Sequence, residues 1–147
     1  MNKIIFDTSF IVGFIDEKDI WHKQASLIND KISANQFNEI VFDCVISEAI
    51  SVIIRRQIER KEERRIEDLI NKLLTHIHRE NITWVYPEIE RLYDGIIKIV
   101  KTTKGALNFN DALIVSVANE FEVPYIVSFD KGFDKTNLKR IKDARDI

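Results

Sequence analysis

The chain has 147 residues, enough for one domain with a real hydrophobic core. It is 45% hydrophobic and 31% charged, and its net charge of -2 argues against strong nonspecific nucleic-acid binding through bulk charge. The single cysteine, Cys44, leaves no internal disulfide and no thiolate metal site, and no apolar run reaches membrane length. These properties describe a cytoplasmic protein folded as a single domain over residues 1–147, with no low-complexity linker and no internal repeat.

In chain order, Lys3 to Phe6 is a short β-type run, and Thr8 to Ile15 reads as a short helix entered from it. Trp21, Ala25, Ile28 and Ile32 fall at helical spacing, and Ile40-Val41-Phe42 marks a buried strand within 38–42. The next helix begins at Asp43 or Ser47 and carries Val45, Ala49, Val52 and Ile53 on one face. Ile66, Leu69, Ile70, Leu73, Leu74 and Ile77 form an amphipathic stripe. Ile82 to Tyr86 alternates as a strand that Pro87 stops. A helix follows from Ile89 through Val100, with Gly105 near its end, and another runs from about Ala112 to Phe121. Tyr125 to Val127 is a short strand, and a weaker one lies near 138–141. Alternating strands and helices predict an α/β fold in three layers, a central mostly parallel sheet of about four or five strands flanked by helices. Ligands of such sheets bind outside the carboxyl ends of the strands.

Four acids fall where an element begins or ends: Asp7, Glu48, Asp111 and Asp130. A carboxylate beside a buried apolar run needs a cation, a donor or a chemical role. Each also has a plainer reading. Asp7 and Asp111 are suited to open helices, Asp130 is a turn residue before Lys131-Gly132, and Glu48 is within reach of Arg55 or Arg56. Glu48 nevertheless shares an apolar face with Val45 and Val52, and Asp111 shares the stripe of Ile114 and Ala118. Four carboxylates converging on one site would suit a hard divalent cation, Mg²⁺ or Mn²⁺. Asp134 is either a fifth ligand or a solvated charge.

The fragments Phe6-Asp7-Thr8-Ser9, Ser47-Glu48, Phe109-Asn110-Asp111-Ala112-Leu113-Ile114 and Val127-Ser128-Phe129-Asp130-Lys131-Gly132-Phe133-Asp134 occur in this order nearly end to end. In this the chain resembles the PIN-domain ribonucleases, and most closely the small VapC-like toxins of toxin–antitoxin pairs. The resemblance implies a PIN-like fold in which Asp7, Glu48, Asp111 and Asp130 surround one or two Mg²⁺ or Mn²⁺ ions. It implies hydrolysis of RNA phosphodiester bonds, a small antitoxin partner that covers the acidic pocket, and a homodimer. Ser128 stands where the family usually has Thr, and retains a hydroxyl. Thr8 or Ser9 is suited to orient Asp7 or a metal-bound water. His22, in a His-x-x-Ala feature shared with the family, reads as structural.

For substrate phosphates, Lys104, Lys131 and Lys135 lie close to the acids in sequence, and Asn108 and Asn110 flank the same region. The basic run from Arg55 to Arg65 interleaves with acids and reads as a solvated helix face. The surplus of apolar residues from Ile46 to Ile54 suggests an interface, or a helix buried deeply in the monomer. Alternatives are an RNA-processing nuclease of the same fold without an antitoxin, and a noncatalytic PIN-like binding module. An aspartyl phosphatase of the haloacid-dehalogenase type would need a second acid where Ser9 stands. A receiver domain gives Glu48 and Asp111 no role.

Overall fold

A computed structural model describes residues 2–147. Five strands form one sheet: β1 (Lys3–Phe6), β2 (Asn38–Phe42), β3 (Ile82–Thr83), β4 (Tyr125–Val127) and β5 (Lys139–Ile141). Their order is β3-β2-β1-β4-β5, and every pairing is parallel. The helices are α1 (Thr8–Ile15), α2 (His22–Ala34), α3 (Asp43–Glu59), α4 (Ile66–His76), α5 (Ile89–Thr102) and α6 (Phe109–Glu120). No helix among the described residues is long and apolar enough to cross a membrane.

The central strand explains the layering. Ile4, Ile5 and Phe6 are all buried, because helices cover a parallel sheet on both faces and leave no polar side for alternation. Ile4 pairs with both Glu39 and Tyr125, and Ile5 with both Ile40 and Ile126. The chain leaves β1 toward β2 on one side and returns from α6 into β4 on the other. The gap at the carboxyl ends of β1 and β4 is therefore the topological switch point of the sheet. Asp7 N donates to Val127 O there at 3.0 Å, which locks the two strand ends together.

Four elements depart from the sequence expectation. β3 stops after Thr83 instead of reaching Tyr86. Trp84 is 56% exposed, and the N–H groups of Val85 and Tyr86 donate to the Asp43 carboxylate at 2.8 and 3.1 Å rather than to a strand. The α4 stripe is narrower than its sequence, with Leu69 and Leu73 buried but Leu74 53% exposed. Helix α3 begins at Asp43, and Val52 is only half-buried because it borders an open pocket. Phe121 follows α6 and is 40% exposed rather than closing its inward stripe.

Candidate active site

Asp7 occupies the N-cap position of α1 in extended backbone, yet its side chain caps nothing. It turns instead into the switch point, where it is 3% exposed. One oxygen, Oδ2, accepts from Ser128 Oγ at 2.7 Å and from Ser9 Oγ at 2.9 Å. Both hydroxyls are held from behind: Ser128 Oγ accepts from Asp130 N and Ser9 Oγ from Phe129 N, each at 3.0 Å. Each serine accepts a backbone N–H from behind and donates its own proton to the Asp7 carboxylate. The turn after β4 thus aims Asp7 while it carries Asp130. Phe129 in that turn stacks on Trp21, with ring centres 4.7 Å apart and planes 10° apart.

Asp111 lies in the first turn of α6, not at its cap. Asn108 is the cap: its side chain accepts from Asp111 N at 2.9 Å, and Asp111 Oδ2 accepts from Asn108 N at 3.1 Å. The capping reading of Asp111 therefore accounts for one oxygen. The turn reading of Asp130 does the same, since Oδ1 accepts from Gly132 N at 2.8 Å. Gly132 must be glycine: a Cβ there would lie 2.5 Å from Ala106 O, in the loop that leads to Asn108. Glu48 forms no ion pair with Arg55 or Arg56. Its Oε2 is within reach of Thr8 Oγ1 at 3.3 Å and Asn110 Nδ2 at 3.5 Å. In Glu48, Asp111 and Asp130 these bonds engage one carboxylate oxygen and leave the other without a hydrogen bond among the described residues.

Asp7, Glu48, Asp111 and Asp130 line one pocket of about 170 Å³, together with Thr8, Ser9, Asn108, Arg55 and Arg56. None of the ion pairs among the described residues involves any of these four acids. The electrostatic consequence falls on Asp111 and Asp7. Burial, then the charges of Asp7, Glu48 and Asp130, push the Asp111 carboxyl up to about 7, against the lowering pull of the Asn108 N–H. Burial also raises Asp7, helped by the charge of Glu48 and opposed by the two serine hydroxyls and the Thr8 N–H. No three His, Cys, Asp or Glu side chains among the described residues close into a ready ligand cage. The acids ring an open pocket.

The remaining sequence candidates separate clearly. Ser9, Ser128, Thr8 and Asn110 contact the acids directly. Asp134 does not join them. Its two oxygens accept from Arg140 Nε and Nη2 at 2.7 and 2.8 Å, and this pairing holds its carboxyl below the usual range. Arg140 also donates to Ser128 O at 3.3 Å, so the pair braces the end of β4. Lys104, Lys131 and Lys135 are exposed and do not line the pocket; Arg55 and Arg56 do. The solvated-face reading of α3 missed this. The available signal was spacing, because Arg55 stands seven residues after Glu48 and shares its helix face. His22 Nδ1 lies 2.9 Å from Gly13 O, a structural contact as expected.

The PIN domain family pattern matches residues 4–139, and the chain belongs to that family. Its fold is also similar to VapC20 of Mycobacterium tuberculosis, described as a sarcin–ricin loop cleaving toxin. The two superpose with a TM-score of 0.71, covering 95% of this chain and 98% of that one, at 16% identity. Likeness at that identity concerns the fold. No curated protein matches the chain in sequence.

Proposed function

We propose that the protein is a metal-dependent endoribonuclease, the toxin of a toxin–antitoxin pair. One observation carries the reading: four carboxylates share a pocket at the sheet's switch point, and none has a cationic partner. The donor set fits Mg²⁺ or Mn²⁺, being all oxygen and short of positive charge. Asp7, Glu48 and Asp111 would hold the ion, with Asp130 serving a second ion or orienting water. When bound, the ion would supply charge stabilisation at phosphoryl oxygens and a water acidic enough to attack.

The chain's own contribution is preorganisation. Ser9 and Ser128 fix the rotamer of Asp7 and leave it no need to reorganise during the reaction. Asn108 and Asn110 do the same for Asp111 and Glu48. Asp134 belongs to the support of Ser128 rather than to the ligand set. RNA is the substrate class that the VapC20 likeness favours. A small antitoxin covering the pocket and a cytoplasmic location accompany that reading. The outer face of α3 supports a homodimer: Ile54 and Ile58 are 37% and 52% exposed, so this helix is not buried deeply in the monomer.

The test is cleavage of a panel of tRNA and structured RNA by wild type and Asp111→Asn, in Mg²⁺, Mn²⁺ and EDTA. Cleavage by wild type with metal alone, reduced at least about a hundredfold in the variant, is the expected result. Full metal-dependent cleavage by Asp111→Asn would sink the assignment.

A further inference from the structure

Two arginines line the acidic pocket, and their circumstances differ. Arg56 is committed: it donates to Asp19, whose carboxylate is 3% exposed, and so it anchors α3 to the α1–α2 loop. Arg55 is not. Its ion pair among the described residues is a 4.0 Å contact with Glu59, and both side chains are more than 60% exposed, at 62% and 66%. Such an exposed i,i+4 pair is a weak competitor for the guanidinium.

The helix sets where this free cation sits. Glu48, Val52 and Arg55 all line the pocket and follow one another at i, i+4 and i+7 on one face of α3. An acid, an apolar spacer and a guanidinium therefore form a stripe roughly 10 Å long at about 1.5 Å rise per residue. Glu48 marks the carboxylate centre at one end. Arg55 stands two turns away, at the pocket's rim, without an ion pair to any of the four acids.

We infer that Arg55 binds a backbone phosphate of single-stranded RNA that flanks the scissile one, so that α3 reads the strand's path across the site. The inference rests on the nuclease reading above. A guanidinium matches a phosphate's paired oxygens, and its rim position sets it apart from the reacting group. The neighbouring Arg56 cannot share the task without abandoning a buried carboxylate.

The experiment compares wild type, Arg55→Ala and Arg55→Lys in cleavage kinetics. It also compares Asp111→Asn with and without Arg55→Ala in binding a labelled single-stranded RNA of mixed sequence, in Mg²⁺ over a salt series. Arg55→Ala is expected to raise KM about tenfold, with a smaller fall in kcat, and Arg55→Lys to recover part of the loss. In binding, the slope of log affinity against log salt should lessen by about 0.7, one phosphate's worth for a single strand. Thermal melting of Arg55→Ala should match wild type, since the side chain is exposed. Unchanged KM and unchanged slope while wild type cleaves would overturn the role of Arg55 and leave the nuclease assignment standing. A fall in kcat alone would overturn the flanking position. If wild type cleaves nothing, the nuclease assignment falls, and an unchanged salt slope would remove Arg55 as well.

Discussion

Helix α1 is bracketed by two buried aspartates, Asp7 before it and Asp16 after it. Asp16 is 1% exposed and sits at the helix's C-terminal end, where the dipole disfavours negative charge. Arg65 and Arg60 donate to its two oxygens at 2.9 and 3.3 Å, joined by the Lys18 N–H at 3.0 Å. Burial raises its carboxyl, but the Lys18 N–H and the two guanidinium groups outweigh that and leave it below the usual range. Asp7 stands at the favourable end of the dipole and is nearly as buried, yet receives only neutral donors and is shifted upward. The fold neutralises an acid that ties α1 to α3 and the turn before α4. It leaves uncompensated the acids that face an open pocket. Cations were available to both ends, since Arg56 reaches the pocket wall and is spent on Asp19. Arg55 at the rim pairs with none of the four acids either, so close neutralisation at the Asp7 end is left to something from outside the chain.

The contrast breaks most visibly under charge removal. Asp16→Asn leaves Arg60 without its anion and Arg65 with Glu62 alone, and should cost about 3 kcal/mol in urea unfolding. Asp111→Asn should go the other way in EDTA at pH 8, melting higher than wild type because it relieves repulsion and desolvation. Destabilisation by both substitutions would erase the distinction.

The pH response sharpens it next. A carboxyl raised to about 7 in the folded state holds its proton more tightly than when unfolded. Metal-free stability from Asp111 is therefore present below the ordinary carboxylate range and declines as pH climbs toward about 7. Asp16, lowered on folding, contributes stability above that range and loses it as pH falls through its depressed value. Urea titrations across this interval should show a neutral-side decline that Asp111→Asn flattens and an acid-side decline that Asp16→Asn flattens. Added Mn²⁺ should remove the neutral-side decline by linkage.

The smallest effect concerns the neutral donors. Ser128→Ala should weaken Mn²⁺ binding by about tenfold in calorimetry, with Ser128→Thr close to wild type. Equal affinity in Ser128→Ala would mean that the hydroxyl relay does not tune Asp7.

The parts of this design that were readable in the sequence are those written locally. The apolar run Ile4-Ile5-Phe6 announces a central strand, and Asp7 at its end announces a switch-point carboxylate. Glu48 stands out because a lone acid on a helix's apolar face breaks the period. What escaped were long-range bonds. Asp16 and Asp19 look like ordinary loop acids, and the arginines that satisfy them lie 37 to 49 residues later. Asp43 reads in the sequence as one of two possible helix starts, with Ser47, and nothing local shows that its carboxylate also ends β3 by capturing Val85 and Tyr86. Lys104 and Lys131 seemed close to the site because they are near the acids in sequence, but the turns that carry them face solvent. Arg55 and Arg56 belong to a run that interleaves with acids and so reads as a solvated face, whereas the folded helix brings both to the pocket wall.

The Ser128–Asp7 hydrogen bond spans 121 positions of the chain, and Asp7 N reaches Val127 O across an interval one position shorter. A ribosome adding about 5–20 residues per second must deliver β4 and the turn after it before Asp7 can be aimed. Contacts this distant along the chain close late, after local helices have formed. While it is being made, the growing polypeptide carries the acids but not their arrangement. A cell that synthesises it is exposed to its chemistry only after most of the chain has been translated.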